Sequence, residues 1–339
     1  MKKRIGSQTI CFSSPPSILS TAAVAGKKEG KGPLKEEFDM ILQDEYLGEK
    51  SWEKAESKLE EKCAEIALSK SGIDSSPDFI LAGDLQNQCA STHYSMRNFG
   101  VPFLGLYGAC STMTESLALS AMLIDGGFAE HILCGTSSHF CSAEKQFRFP
   151  LEYGGIRTPT SQWTVTGSGF AVLGKGGGIK ITHATVGKIT DLGVCDINNM
   201  GAAMAPAAAD TLMAHFEDTK RVPDDYDLIL TGDLGVIGSD LLCDMLNEKG
   251  YDIYSNHNDC GKMIFDIENQ DVHAGGSGCG CCASVFCGHI FKELKRGNLK
   301  RIAVMATGAL MNPQIVLQGE SIPSIAHLVV IEADRAKQL

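Results

Sequence analysis

The chain carries an internal echo. Residues 78 to 85 read DFILAGDL and residues 227 to 234 read DLILTGDL, each an apolar strand closed by Gly-Asp-Leu, with six of eight positions identical. A second match lies in spacing. Cys110 to Gly127 and Gly280 to Gly297 each span 17 positions of apolar helix and turn, and each leads into a strand, His131 to Gly135 and Arg301 to Thr307. Repeats of this kind imply an internal duplication, with an N-terminal half over residues 1–190 and a C-terminal half over 191–339. Strands alternating with helices predict a parallel-dominated α/β arrangement with helices covering the sheets.

The first half is built around Tyr107-Gly108-Ala109-Cys110-Ser111-Thr112. Val101 to Leu106 reads as a short buried strand, and Cys110 to Asp125 as a helix apolar on nearly every face, enclosed by protein. A thiol at a helix N-terminus meets unpaired N–H groups and the positive end of the dipole, which lower its pKa and attract anions. The alternative is a small buried residue in a tight turn. Elsewhere the pattern predicts a strand over Thr9 to Phe12 followed by a surface loop, helices over Glu36 to Leu47 and Ser51 to Ser71, and a strand over Asp78 to Leu81. Ser51 is the expected cap. Gly169 to Leu173 and Gly178 to Val186 read as a hairpin, and Ile325 to Ile331 closes the second half.

Composition narrows the function. A net charge of -11 argues against a nucleic-acid partner. The N-terminus lacks the apolar core of a signal peptide, and no stretch approaches the roughly 20 apolar residues of a membrane span, so a soluble intracellular chain is expected. Thirteen scattered cysteines, an odd number, point to reduced thiols rather than a disulfide framework. Cys279, Cys281 and Cys282 lack the paired spacing of a structural zinc site, and no metal centre is expected.

The order strand, Gly-Ala-Cys-Ser, buried helix, Gly-Phe-Ala, strand and Thr-Gly-Ser-Gly, repeated once without the cysteine, resembles the thiolase fold of condensing enzymes. That resemblance implies a duplicated five-layer αβαβα arrangement with two buried central helices, and a nucleophile position at Cys110. The strings LYGACST (106 to 112), LIDGGFA (123 to 129), VTGSGFAVL (165 to 173), APAAADT (205 to 211), HNDCG (257 to 261), AGGSGC (274 to 279) and ESIPSIAH (320 to 327) resemble a narrower family, the stage V sporulation protein AD family of endospore-forming bacteria. It implies binding of dipicolinic acid, pyridine-2,6-dicarboxylate, together with calcium. It also implies loading of that compound into the developing spore beside other stage V sporulation membrane proteins, a role reaching into germination, a homodimer, and a soluble chain peripheral to the inner membrane of the forespore.

Condensation at a thiol needs a base and a pair of oxyanion donors. By the resemblance these come from two loops of the second half, and where the first should carry a histidine this chain has Gly232-Asp233. His273-Ala274-Gly275-Gly276-Ser277-Gly278 matches the second only loosely, and Ala306 to Leu310 holds no second thiol. The helpers are largely gone, so the expectation is a non-catalytic pocket. A carboxylate of the ligand would meet Cys110 and the amides near Ser111. Asp84 is the leading loop candidate, against a turn-capping role, and Asp233 carries the same ambiguity. Ser138 and His139 end a strand that opens toward the crevice. His257 and Asn258 lie in an inserted loop, and His273 and Gly275 in the degenerate one. Lys145, Arg148 and Arg157 form a loose basic stretch. The competing functions are an acyl-thioester condensing enzyme using Cys110 and a ligand-free scaffold for membrane partners.

Overall fold

The computed structural model describes residues 3–147 and 156–334. Ten strands form its main path: β1 Ser17–Ala25, β2 Phe79–Gly83, β3 Phe103–Gly105, β4 Ile132–Ser138, β5 Gly167–Gly174, β6 Ile179–Thr185, β7 Leu228–Thr231, β8 His257–Asp259, β9 Arg301–Ala309 and β10 Ser324–Ala333. Their order is β8-β7-β9-β10-β6, then β1-β5-β4-β2-β3. The two blocks of five are joined by one residue pair, Lys180 with Ser17. They mirror each other. The echoed strands β2 and β7 each lie one in from an edge, parallel to both neighbours, and in each block an antiparallel strand follows.

The echo extends to hydrogen bonds. Asp78, ahead of β2, accepts from the amides of Glu130 and His131 at 2.7 and 3.0 Å. Asp227, ahead of β7, accepts from those of Lys300 and Arg301 at 2.7 and 2.9 Å. In both halves a carboxylate ties the start of one parallel strand to the start of its neighbour.

The helices are α1 Trp52–Ser71, α2 Ala90–Met96, α3 Thr112–Asp125, α4 Phe140–Phe147, α5 Met200–Thr219, α6 Gly235–Asn247 and α7 Cys279–Val285. Helix α7 continues through a π-helical turn, Phe286–Ile290, into Phe291–Arg296. Helix α1 covers the outside of the first block, against β1 and β5, and α5 the outside of the second, against β9 and β10. Between them lie α3, which touches β2 and β4 on one side and β9 and β10 on the other, and α7 against β4 and β5. The layering is αβαβα, with α3 and α7 as the enclosed central pair. Met113, Leu117 and Ala121 of α3 and Cys281, Cys282 and Ala283 of α7 have no exposed surface, so neither helix has a polar face for water.

Four local expectations are corrected. The strand expected to be buried over Val101 to Leu106 is β3 alone, at a sheet edge with Leu104 exposed. The supposed surface loop after Phe12 holds β1, a nine-residue strand whose small side chains, SILSTAAVA, pack between sheet neighbours. Glu36 to Leu47 is not a helix, because the amides of Asp39 and Leu42 bond the carbonyls of Ala23 and Ala25 at 2.8 and 2.9 Å and extend the chain along β1. Strands β5 and β6 are not a hairpin: β1 lies between them, pairing with β5 from Ser17–Gly174 to Ala25–Gly167. The capping of α1 is as expected, with the Ser51 hydroxyl accepting from the Lys54 amide at 3.4 Å.

Candidate functional site

Between β3 and α3 the chain makes a tight turn. Ala109 lies at φ +49°, a left-handed conformation uncommon outside glycine. The Ser111 amide and hydroxyl both donate to the Gly108 carbonyl, at 3.0 and 2.6 Å, and the Thr112 hydroxyl donates to that of Ala109 at 2.7 Å. The helix therefore begins at Thr112, two residues later than expected, and Cys110 sits in the turn ahead of it. Strand β9 presses against this turn at Gly308, where a Cβ would stand 2.2 Å from the Gly108 oxygen.

Cys110 faces a cavity of about 60 Å³ bounded by Leu85, Tyr107, Phe147, Gln162, Ser277 and Met311, among others. Across from the thiol is Asp233, just beyond β7 and 1% exposed. Its Oδ1 accepts from the Thr307 hydroxyl at 2.8 Å, and its Oδ2 from the Ser277 hydroxyl at 2.9 Å and the Gly278 amide at 3.1 Å. The same carboxylate acts on the Cys110 thiol through its charge. A negative charge nearby disfavours a thiolate, so the sulfur keeps its proton. Burial, followed by the charge of Asp233, pushes the Cys110 thiol well above the ordinary thiol range. Burial also raises the Asp233 carboxyl, with the bonds from Thr307, Gly278 and Ser277 acting against it.

Two further groups were missed in the sequence. Cys279, the first residue of α7, donates its thiol to the Ala109 carbonyl at 3.0 Å; the second thiol beside Cys110 thus comes from the cysteine cluster, not from the 306–310 segment. Gln162 lines the cavity with its Nε2 donating to the carbonyls of Asp233 and Gly276 at 2.6 and 2.9 Å. Two acceptors on one side fix the orientation of the amide, and the buried Oε1 opposite has no hydrogen-bond partner among the described residues. Nothing in the local pattern around Gln162 distinguishes it.

Of the residues singled out from the sequence, Cys110 lines the cavity and Ser111 adjoins it, but the Ser111 amide is already spent on Gly108. Asp84 is fully buried and committed to its own loop, with Oδ1 accepting from the Gln86 amide at 2.6 Å and Oδ2 from the Thr92 amide and hydroxyl, each at 2.7 Å. The Ser138 hydroxyl donates to the Val165 carbonyl at 2.7 Å and accepts from the Gly280 amide at 2.9 Å. His139 holds the Glu45 carbonyl and the Cys141 amide. His257 lies against Thr231 and Cys243, at 2.9 and 3.6 Å, and the Asn258 side chain accepts from the Asp259 amide. His273 pairs with Asp271 at 3.6 Å, and the Gly275 carbonyl accepts from the Trp163 amide. None of these borders the cavity, although Ser277 and Gly278 of the same Gly-rich loop do. Arg157 bonds Glu144 at 3.2 Å, Lys145 bonds Glu53 at 2.6 Å, and Arg148 lies outside the described residues. Among the described residues no group of three or more His, Cys, Asp or Glu side chains is placed to hold a metal ion.

Two mirrored five-stranded blocks, a central helix pair and a cysteine in the turn before the first of them define a thiolase-like α/β protein. The fold matches 3-oxoacyl-[acyl-carrier-protein] synthase III from Aquifex aeolicus at TM-score 0.58 and 12% identity, over 94% of this chain and 99% of that one. It matches human mitochondrial 3-ketoacyl-CoA thiolase equally well, at 0.58 and 12%, over 96% and 100%. The chain belongs to the stage V sporulation protein AD family, whose profile matches residues 6–332. A relative of that name from Bacillus subtilis (strain 168) is 49% identical over 332 residues, covering 97% of this chain and 98% of the relative. Among the described residues no helix is long and apolar enough to cross a membrane.

Proposed function

We propose that the chain is a sporulation protein that binds dipicolinic acid at the Cys110 cavity without turning it over, and serves its uptake into the developing spore beside membrane proteins of the same stage. The observation that carries this is the buried Asp233 carboxylate across the site from the Cys110 thiol, whose charge disfavours the thiolate. A condensing enzyme needs a base that takes the thiol proton and donors for the oxyanion; an anion facing the sulfur opposes thiolate formation and repels a developing oxyanion. The nucleophile position persists while the local charge disfavours its use.

The same carboxylate constrains how a dianion is held. Among the described residues the cavity wall offers an unpartnered acceptor, Gln162 Oε1, and no Lys or Arg; its carboxylate, Glu144, is already paired with Arg157. A free pyridine dicarboxylate also presents acceptors only, whereas its calcium chelate brings a cation that hard oxygen ligands favour. The chelate is the better fit. At about 60 Å³ the cavity is smaller than the roughly 150 Å³ that accommodates a benzene ring, so binding requires its wall to give. Tyr107, 45% exposed, and half-buried Phe147 have the freedom to do so.

Calorimetry with dipicolinate, with and without calcium, is the test. Heat that grows with calcium and is diminished by Cys110→Phe, which fills the cavity, supports this function. Absence of binding under both conditions, or stable acylation of Cys110 by an acyl thioester seen as a mass increase, refutes it.

We further propose a homodimer through β3. This edge strand pairs on one side only, and Leu104, Tyr107 and Tyr94 beside it are 45–58% exposed, an arrangement that invites pairing with a second copy.

A further inference from the structure

Five large apolar side chains open to solvent gather on two segments: Val186, Ile189 and Leu192 on one, Ile315 and Leu317 on the other. Ile189, Leu192 and Leu317 are 66%, 68% and 88% exposed. The segments are bound to each other. Thr190 and Ser324 exchange two amide-to-carbonyl bonds at 2.8 Å, the Ile322 amide donates to the Val194 carbonyl at 2.8 Å, and the Ser321 hydroxyl donates to Asp191 at 2.6 Å. Val194, Ile197 and Val316 turn inward onto one core cluster, leaving their neighbours outward. Both segments then run into the cavity wall, through Ile197 and Asn198 on one side and Ala309 and Met311 on the other.

Exposed apolar surface gathered in one place and rimmed by polar groups marks an interaction site. The rim here is acidic. Asp191, Asp196 and Glu320 are exposed and have no ion-pair partner among the described residues, and the single cation of the two segments, Lys188, is 3.7 Å from Asp210. We propose that this surface docks a protein segment combining apolar side chains with Lys or Arg, at the mouth of the cavity. An anionic bilayer would meet three carboxylates and is disfavoured. Cytoplasmic loops of membrane proteins carry the required excess of Lys and Arg. Identifying the partner as a membrane protein rests on the function proposed above; the chemistry of the surface does not.

The test uses the full chain with three probes: a fluorescein-labelled amphipathic peptide of alternating Leu and Lys, its counterpart with Glu for Lys, and phosphatidylglycerol vesicles. Cys195, the exposed member of the cysteines, directly follows Val194, whose carbonyl holds the Ile322 amide of the other segment, and reports occupancy through its rate of N-ethylmaleimide labelling. The expected result is binding of the Lys peptide that protects Cys195, weakens at least tenfold in Leu192→Ser/Leu317→Ser and at least threefold in Asp191→Asn/Glu320→Gln, and is unchanged in Phe128→Ser, a distant exposed control. Equal binding of the two peptides, an equal loss in the Phe128 control, or protection of Cys195 by vesicles overturns the proposal. Dipicolinate titrations of the same proteins keep the two ideas apart: loss of peptide binding with intact dipicolinate binding refutes only the surface, and the reverse refutes only the ligand.

Discussion

Asp233 stands across from the Cys110 thiol and opposes its ionisation. Residues 123 positions apart in the chain meet because β7 and the turn before α3 converge on the space between the two sheet blocks. Asp233→Asn removes the charge while keeping an acceptor for Thr307, so the Cys110 thiol ionises at lower pH. Iodoacetamide labelling of Cys110 followed over pH, by peptide mass, is expected to show its midpoint displaced downward in the variant. Asp233→Ala also strands buried donors and should cost on the order of 1–3 kcal/mol in denaturant unfolding. An unchanged labelling midpoint in Asp233→Asn would mean that the two side chains are not coupled.

Buried carboxyls make the fold acid-favouring. Glu56 and Glu29 are pushed up to about 8 by burial, Glu56 also by the charge of Asp84, and Glu60 is raised well above its ordinary value by burial and then by Asp84. Their folded-state pKa lies above the unfolded one, so this stability is complete below the ordinary carboxyl range and is lost as pH climbs from there through about 8. The slope is about 1.4 kcal/mol per pH unit for each such proton. Thermal unfolding should show Tm falling between pH 5 and 8, and Glu56→Gln and Glu60→Gln should each flatten the curve. A Tm that rises over this range contradicts the assignment.

Gly308→Ala tests the grip of the second half on the Cys110 turn. Its Cβ would collide with the Gly108 carbonyl, a backbone atom that cannot step aside cheaply. Overpacking of this kind costs about 1–3 kcal/mol, and the displaced turn should weaken dipicolinate binding more than Gly178→Ala does, a position whose Cβ would meet nothing within 4 Å. Equal effects of the two substitutions would detach the turn from ligand binding.

Leu104→Glu places a charge on the β3 edge. Gel filtration is expected to move from near twice 36.2 kDa to near 36.2 kDa, with circular dichroism unchanged. Retention of the larger species would put the subunit contact elsewhere.

The duplication was visible as letters because each echoed strand must end in the same Gly-Asp-Leu turn, and the matching roles of Asp78 and Asp227 show that the repetition is physical. Strand β1 was hidden for the opposite reason. Its run of Ser, Thr and Ala carries little hydrophobic contrast, and only neighbours on both sides make those residues a strand. The Glu36 to Leu47 segment has helical composition, but the open backbone groups of β1 offered it better hydrogen bonds.

By itself the sequence determined the repeated strand-turn-helix units and their order: periodic apolar runs, their punctuation by Gly, and the cysteine ahead of an enclosed helix are local properties of the chain. The surroundings of that cysteine were decided only in three dimensions. Asp233, Gln162 and Cys279 reach it from three separate stretches, and Asp84, their equal by pattern, is consumed in capping its own loop. A carboxylate's role depends on which donors arrive opposite it, and those donors are delivered by packing across the whole fold.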